Sequence, residues 1–281
     1  MPCDRGRIHM SSPVKLLFVA DIVGQPGLHL LNTILPGLID KYKTHFVIAN
    51  AENAHQGRGI NRQIVQSLYD SGVNVITGGN HSFDKWKIFP YMKKDPYLLR
   101  PLNFPKGVPG FGYCLTKIPG TERQIAVINL QGRAFMADID DPFSTAEWIV
   151  EKLREETSLI IVDFHAEATA EKMALAWELD SRVSLLIGTH THVPTNDAQI
   201  LPGGTGYITD AGMTGPFDSV IGMDKKSSII RFTRSLPQKF KVASDDNRLC
   251  GVYAEIDAES GKCIHIEPVV YPSFKSSTKK Q

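Results

Sequence analysis

The four cysteines, Cys3, Cys114, Cys250 and Cys263, include no CxxC pair. A disulfide frame is therefore not expected, and the thiols read as isolated groups in a reducing compartment, the cytoplasm. No apolar run approaches the ~18 residues of a membrane span. The opening ten residues hold no apolar stretch of the kind a secretory signal needs. Charge of one sign is missing too. Lys and Arg number 31 against 30 Asp and Glu, a net charge of +1. Nothing in that balance suits a general polyanion binder, so long nucleic acid is not an expected partner and any phosphate recognition must be local. Repeats, low-complexity blocks and linkers are also lacking. The chain reads as one domain over residues 14–272, with a disordered leader over 1–13 and a flexible, solvated tail over 273–281.

What is present is a series of short apolar runs, each stopping at polar residues. Residues 15–20 stop at Asp21, 45–49 at Asn50-Ala51-Glu52-Asn53, and 73–77 at Gly78-Gly79-Asn80-His81. Residues 124–129 stop before Gln131 and Arg133, 159–163 at His165, and 184–187 at Gly188-Thr189-His190-Thr191-His192. Near-continuous apolar strands, covered on both faces, are the mark of an α/β sheet. Helical patterns lie between them. Residues 28–42 read amphipathic, with Pro36 and Gly37 set to break or kink the helix. Residues 62–69 form a helix capped by Asn61. Residues 145–155, with Trp148, Ile149 and Leu153 on one side, take Ser144 or Thr145 as cap. Residues 168–177 are Ala-rich and helical. From about residue 203 the pattern turns to strand and turn, over 206–209, 228–232, 248–256 and 263–267, in the manner of an antiparallel meander.

The strand ends carry the chemistry. In an extended backbone His190 and His192 share a face and can enter one pocket. Two surface loop histidines are the alternative, and the other strand ends weigh against it. Asp21 is a carboxylate at a strand end, though one there can also cap a helix. Glu52 has two oxygens and can bridge two cations. Asn53 and Asn80 offer amide oxygens, although Asn in turns is often structural. His165 closes an apolar strand, where a histidine can equally be part of the core. In open α/β sheets, ligands bind beyond the carboxyl ends of the strands. Five of six strands ending in such residues is more than chance supplies. Mixed O and N donors without thiolate favour Fe, Mn or Zn.

In order along the chain these blocks resemble the calcineurin-like metallophosphoesterases, through Gly79-Asn80-His81, His165 and Gly188-Thr189-His190-Thr191-His192. The first block, Asp21-Ile22-Val23, lacks the usual histidine, and the second reads Asn50-Ala51-Glu52-Asn53 in place of G-D-x-x-D. Both departures are similar to a narrower family, the bacterial YmdB-like phosphoesterases. Its features here include Ala20-Asp21-Ile22-Val23-Gly24, Ala51-Glu52-Asn53-Ala54, the stretch 163–172, the stretch 209–216 and Arg100-Pro101-Leu102-Asn103. The likeness spans about residues 15–272.

The resemblance implies a four-layer α/β/β/α sandwich with two central mixed sheets. It implies two transition-metal ions, iron in the family, with Mn or Zn open by chemistry alone. Glu52 would bridge them; Asp21, Asn53 and His192 would complete one site and Asn80, His165 and His190 the other. A hydroxide shared by two cations would attack phosphorus, and His81 would donate the proton to the leaving oxygen. Asp84 could orient His81 or cap the following segment. Arg58, Arg100 and Arg133 are candidate phosphate contacts, with surface ion pairing as the alternative. Phe135 or Tyr207 could stack on a base or pack in the core. Glu167 and Glu171 are assigned to the helix after His165. The implied activity is hydrolysis of a small phosphodiester, namely 2′,3′- or 3′,5′-cyclic nucleotides. A phosphomonoesterase or protein phosphatase on the same site, or a metal-dependent nucleotide-binding regulator, is the alternative. A homo-oligomer, dimer or tetramer, is compatible with the sequence.

Overall fold

A computed structural model describes residues 12–274 except 236, 238 and 240. Save for residues 12, 13, 273 and 274, the expected leader and tail lie outside the described residues. Two sheets organise the chain. The first holds β1 (Val14–Val19), β2 (Asp21–Ile22), β3 (Phe46–Asn50), β4 (Val75–Thr77), β11 (Met213–Pro216), β12 (Asn247–Ile256) and β13 (Cys263–Tyr271). Its order is β2-β11-β12-β1-β3-β4, with β13 also paired to β12. The second holds β5 (Tyr113–Lys117), β6 (Gln124–Gln131), β7 (Ile160–His165), β8 (Leu185–Thr189), β9 (Gln199–Ile200) and β10 (Gly206–Ile208), in the order β5-β6-β7-β8-β10-β9. Both are mixed. β1, β3 and β4 run parallel while β12 opposes β1, and β6, β7, β8 and β10 run parallel between antiparallel edges.

Strand periodicity explains the layers. Leu16, Phe18 and Ile48 of the first sheet pack against Val127, Ile161 and Ile187 of the second, forming the central core. The alternate residues Leu17, Val19, Val47 and Ala49 face outward. There they are covered by α1 (Gly24–Tyr42), α2 (Arg62–Asp70) and the short α3 (Phe89–Met92). Ile128, Ile160 and Val162 of the second sheet are covered by α4 (Pro142–Arg154) and α5 (Thr169–Glu178). The result is the four-layer α/β/β/α sandwich with two central mixed sheets. The parallel registers bring the C-terminal ends of β3 and β4, and of β7 and β8, to one rim. Among the described residues no helix is long and apolar enough to cross a membrane. Cys114, Cys250 and Cys263 are free and buried, and burial pushes each thiol up to about 12, which leaves them unreactive.

Several local expectations are corrected. α1 starts at Gly24 and is continuous through Pro36. Pro36 and Gly37 are exposed, so water can satisfy the carbonyl that proline leaves without a donor. α4 starts earlier than expected because Asp141, not Ser144 or Thr145, is its cap, accepting from the backbone N–H groups of Phe143 and Ser144. Trp148 is half-exposed and does not share the buried face of Ile149 and Leu153. Residues 228–232 are not a strand but part of α6 (Lys225–Arg234), capped by Asp224 through Ser227. α6 buries none of its residues, and the β-branched and aromatic run Ile229-Ile230-Arg231-Phe232 that reads as a strand is carried on an exposed helix started by the Asp224 cap. The second half is not a simple meander either, since β10 joins β8 in parallel and β11 joins β2 in parallel.

Replacing Pro36 by Ala restores a helical donor and removes the ring's clash with the preceding turn. The variant is expected to gain about 1–3 kcal/mol of stability, read as a higher urea midpoint with unchanged slope.

Candidate metal centre

The shared rim holds every residue singled out from the strand ends. From the first sheet come Asp21 after β1, Glu52 and Asn53 after β3, and Asn80 and His81 after β4. From the second come His165 at the end of β7 and His190 and His192 just past β8. Contacts link them all. Glu52 Oε1 lies 3.1 Å from His165 Nε2. It also accepts from Asn53 Nδ2 at 3.1 Å. Glu52 Oε2 accepts from the His81 backbone N–H at 2.9 Å. Asn53 Nδ2 is 3.1 Å from His192 Nε2, which is 3.3 Å from Asp21 Oδ2. On the other side, His165 Nε2 is 3.1 Å from Asn80 Oδ1 and 3.0 Å from His190 Nδ1. Glu52, His165 and His190 offer donor atoms all within 4.8 Å of one another, a group that can hold a metal ion.

The histidine tautomers follow from their outer partners. The Thr189 hydroxyl gives its one proton to Asp163 Oδ1 at 2.7 Å, so it can only accept from His165 Nδ1 at 2.9 Å. His192 Nδ1 donates to the Ile221 carbonyl at 3.0 Å. His190 Nε2 stands 3.1 Å from Glu167 Oε2 and donates to it. Each neutral imidazole is thereby left with one lone pair aimed inward, as in metal-ligating histidines with a hydrogen-bonded outer shell. Lone pairs from His165, His190, Glu52 and Asn80 thus converge, and only added positive charge relieves their repulsion. Burial works against a charge on His165, yet Glu52 beside it outweighs burial and raises its pKa to about 9. Glu52 is likewise held at about 2, the attraction of His165 overcoming complete burial. His190 is pushed down to about 3 by burial and by the neighbouring His165 charge.

Two further observations fit a cation. Asp21 is fully buried, and its Oδ1 has no hydrogen-bond partner among the described residues. Gly79 makes room for the cluster: a Cβ there would stand 2.4 Å from both Glu52 Oε2 and His165 Nε2. Asn53 presents its amide nitrogen inward, and its oxygen faces the centre only with the amide turned over. The cleft above has a volume of about 470 Å³ and is lined by Glu52, His81, Glu167, His190, Arg58 and Arg231, among others.

This geometry sits in a chain whose sequence matches the model of the YmdB-like protein family over residues 17–269. The chain belongs to the YmdB-like family. It is 48% identical over 257 residues to the 2′,3′-cyclic-nucleotide 2′-phosphodiesterase of Bacillus subtilis, covering 92% of this chain and 97% of that protein. A phosphatase structure from Mycoplasma pneumoniae superposes with a TM-score of 0.87 at 35% identity, over 93% of this chain and 94% of that one. The structure of a hypothetical protein from Thermus thermophilus superposes with a TM-score of 0.86 at 38% identity, over 92% and 99%.

Some site expectations for this YmdB-like chain need revision. His190 and His192 do not share the face of an extended strand. Strand β8 ends at Thr189, and both histidines have positive φ, 99° and 65°. Such backbone costs about 1–3 kcal/mol per residue and clusters at functional sites. Asp210 pins the turn, accepting from Thr191 N at 3.1 Å and from Thr191 Oγ1 at 2.8 Å. Asp210 is itself paired with buried Lys172 at 2.8 Å. Glu167 is not in the helix, which begins at Thr169, but beside His190. Glu171 is in α5 and binds the Arg133 and Ala134 N–H groups. Arg100 is buried and holds the carbonyls of Pro101 and Leu102, away from the cleft. Arg133 pairs with Asp141 at 2.9 Å. Tyr207 is buried with its hydroxyl on Thr209, while Phe135 is 90% exposed. Asp84 Oδ2 does lie 3.1 Å from His81 Nδ1. Arg231 was missed because its segment reads locally as a strand. Asp163 is a carboxylate ending an apolar run, and that oddity was its signal.

Gly79→Ala sets a methyl group into the donor cluster. The variant is expected to stay folded by circular dichroism but to bind at least tenfold less Mn²⁺ in equilibrium dialysis. Unchanged Mn²⁺ binding would show that the cluster does not take the metal.

Proposed function

We propose that this chain is a metal-dependent phosphodiesterase that opens 2′,3′-cyclic nucleotides, taking two transition-metal ions in the donor cluster. The observation that carries the reading is the convergence of inward lone pairs in a chain so similar to the B. subtilis phosphodiesterase. Asp21, Asn53 and His192 would hold one ion, Asn80, His165 and His190 the other, and Glu52 both. Bound there, the ions would supply positive charge for phosphoryl oxygens and lower the pKa of a water. Iron is the expected metal, with Mn or Zn suited by the same donors. The free buried thiols suit a reducing cytoplasm.

The remaining steps belong to side chains. Hydrolysis at the 2′ ester forms a bond from water oxygen to phosphorus and breaks the bond from phosphorus to O2′. The ribose O2′ then needs a proton. His81 is adjacent to Asn80, lines the cleft, and has its Nδ1 side anchored by Asp84. Its Nε2, which lies 3.2 Å from the Asn80 amide nitrogen, would be the atom to deliver that proton from the imidazolium form. Arg58 and Arg231 line the same cleft, where guanidinium groups match phosphoryl oxygens. A 3′,5′-cyclic nucleotide could meet the same groups, and the M. pneumoniae relative is described as a phosphatase. Metal analysis of purified protein, coupled to hydrolysis of a panel of mono-, di- and cyclic phosphates, separates these activities. Release of phosphate from monoesters alone would overturn the diesterase reading.

Two variants probe the assignment. Glu52→Gln keeps the shape of the bridge but removes its charge, so metal content should fall at both sites together. Loss of a single equivalent would contradict a shared ligand. His81→Ala should retain both metals while kcat on 2′,3′-cyclic AMP falls by about 10²–10⁴. An activated nitrophenyl ester, whose leaving group needs little protonation, should lose far less.

A further inference from the structure

Two cavities outside the metal cleft lie end to end along one face. The first, of about 760 Å³, is lined by His55, Ile60, Asn61, Arg62, Gln63, Asp84, Lys85, Trp86 and Lys87. The second, of about 630 Å³, shares Arg62 and Lys87 with it and continues past Tyr91, Lys94 and Tyr97. The start of this track touches the site, because Asp84 lines the first cavity and holds His81. Arg58 in the cleft wall also approaches Asp84, at 3.9 Å.

The chemistry of the track is specific. Arg62, Lys85, Lys87 and Lys94 bring four cations. Its two carboxylates are already engaged, Asp84 by His81 and Asp95 by the Tyr69 hydroxyl and the Tyr97 N–H. The first turn of α2, with no acidic residue, opens at the same place and adds the positive end of a helix. Trp86 is 71% exposed and Tyr97 39%, rings that no core requires. Alternating cations and exposed rings along a groove are what a single-stranded nucleic acid uses, phosphates on the one and bases on the other. A near-neutral chain thus carries a local basic strip where it leads into the cleft.

Resting on the phosphodiesterase reading, we propose that the preferred substrate class is a short oligoribonucleotide ending in a 2′,3′-cyclic phosphate, its upstream nucleotides lying along this track. The cyclic phosphate sits in the cleft, the neighbouring base stacks on Trp86, and the next phosphates meet Lys85, Lys87 and Arg62.

The test compares adenosine 2′,3′-cyclic phosphate with the triadenylate that ends in the same cyclic phosphate. The native protein should show at least a tenfold higher kcat/KM for the trinucleotide. Trp86→Ala should lose about 5- to 100-fold on the trinucleotide, through KM, and less than twofold on the mononucleotide. Trp86→Phe should keep most of the advantage, which separates stacking from damage to the fold. Equal kcat/KM for both substrates in the native protein, or equal losses on both in Trp86→Ala, would overturn the inference while leaving the phosphodiesterase reading in place. Fluorescence polarisation of a 5′-labelled trinucleotide on metal-stripped protein covers the opposite failure. Trp86-dependent binding without hydrolysis of either substrate would retain the track and reject the activity.

Discussion

The crowding of lone pairs around His165 Nε2 is the constraint on which the site depends. One oxygen of Glu52, the Asn80 amide oxygen and His190 Nδ1 all lie within 3.1 Å of it. None of these atoms can donate to it once the outer hydrogen bonds have fixed the tautomers. Such a cluster is tolerable only around positive charge, whether a proton or a metal ion. The fold is built to keep it crowded. Thr189 and Asp163 fix the ring of His165, and Gly79 yields the space a methyl would take.

The turn carrying His190 and His192 shows how this arrangement is held against its own cost. Two ligand candidates with positive φ, two residues apart, would relax in an unsupported loop. Thr191 between them is tied by both its N–H and its hydroxyl to Asp210, and Lys172 of α5 neutralises that carboxylate in full burial. Removing either partner of such a pair costs about 3–5 kcal/mol, because the other stays charged and dry. Gly188 lets the turn approach the neighbouring strand, since a Cβ there would overlap the Thr209 carbonyl.

The strand ends were legible because two-sided burial writes continuous apolar runs, and polar residues at their ends then stand out. Asp21, Glu52, Asn80, His165 and the two histidines past β8 all carried that contrast, and the structure gathers them. Other features were not legible. α6 carries its β-branched and aromatic run on an exposed helix, so residues 228–232 looked like a strand and hid Arg231. Asp141 caps α4 with Pro142 at the first helical position, which proline suits, so the helix begins before the Ser144 and Thr145 that stand next to its apolar face. Arg100 looked free for phosphate, but its burial against three carbonyl groups depends on a loop partner, Gly110, ten residues away. The alternation argument for His190 and His192 assumed that the strand continued past Thr189, and only the backbone angles reveal that it does not.

The division of donors between the sheets has a mechanical meaning. Oxygen and amide groups come from the first sheet, through Asp21, Glu52, Asn53 and Asn80, and the imidazoles from the second, through His165, His190 and His192. A cation seated among them would therefore act as a rivet across the sandwich, added at this rim to the hydrogen bonds by which Asn50 and Thr77 of the first sheet already hold Asp163 of the second. Its binding free energy would add to the cohesion of the sheets by mass action. The rim where the strands stop would then be the most firmly fastened edge of the molecule, and slippage of one sheet over the other would first have to pull the rivet out.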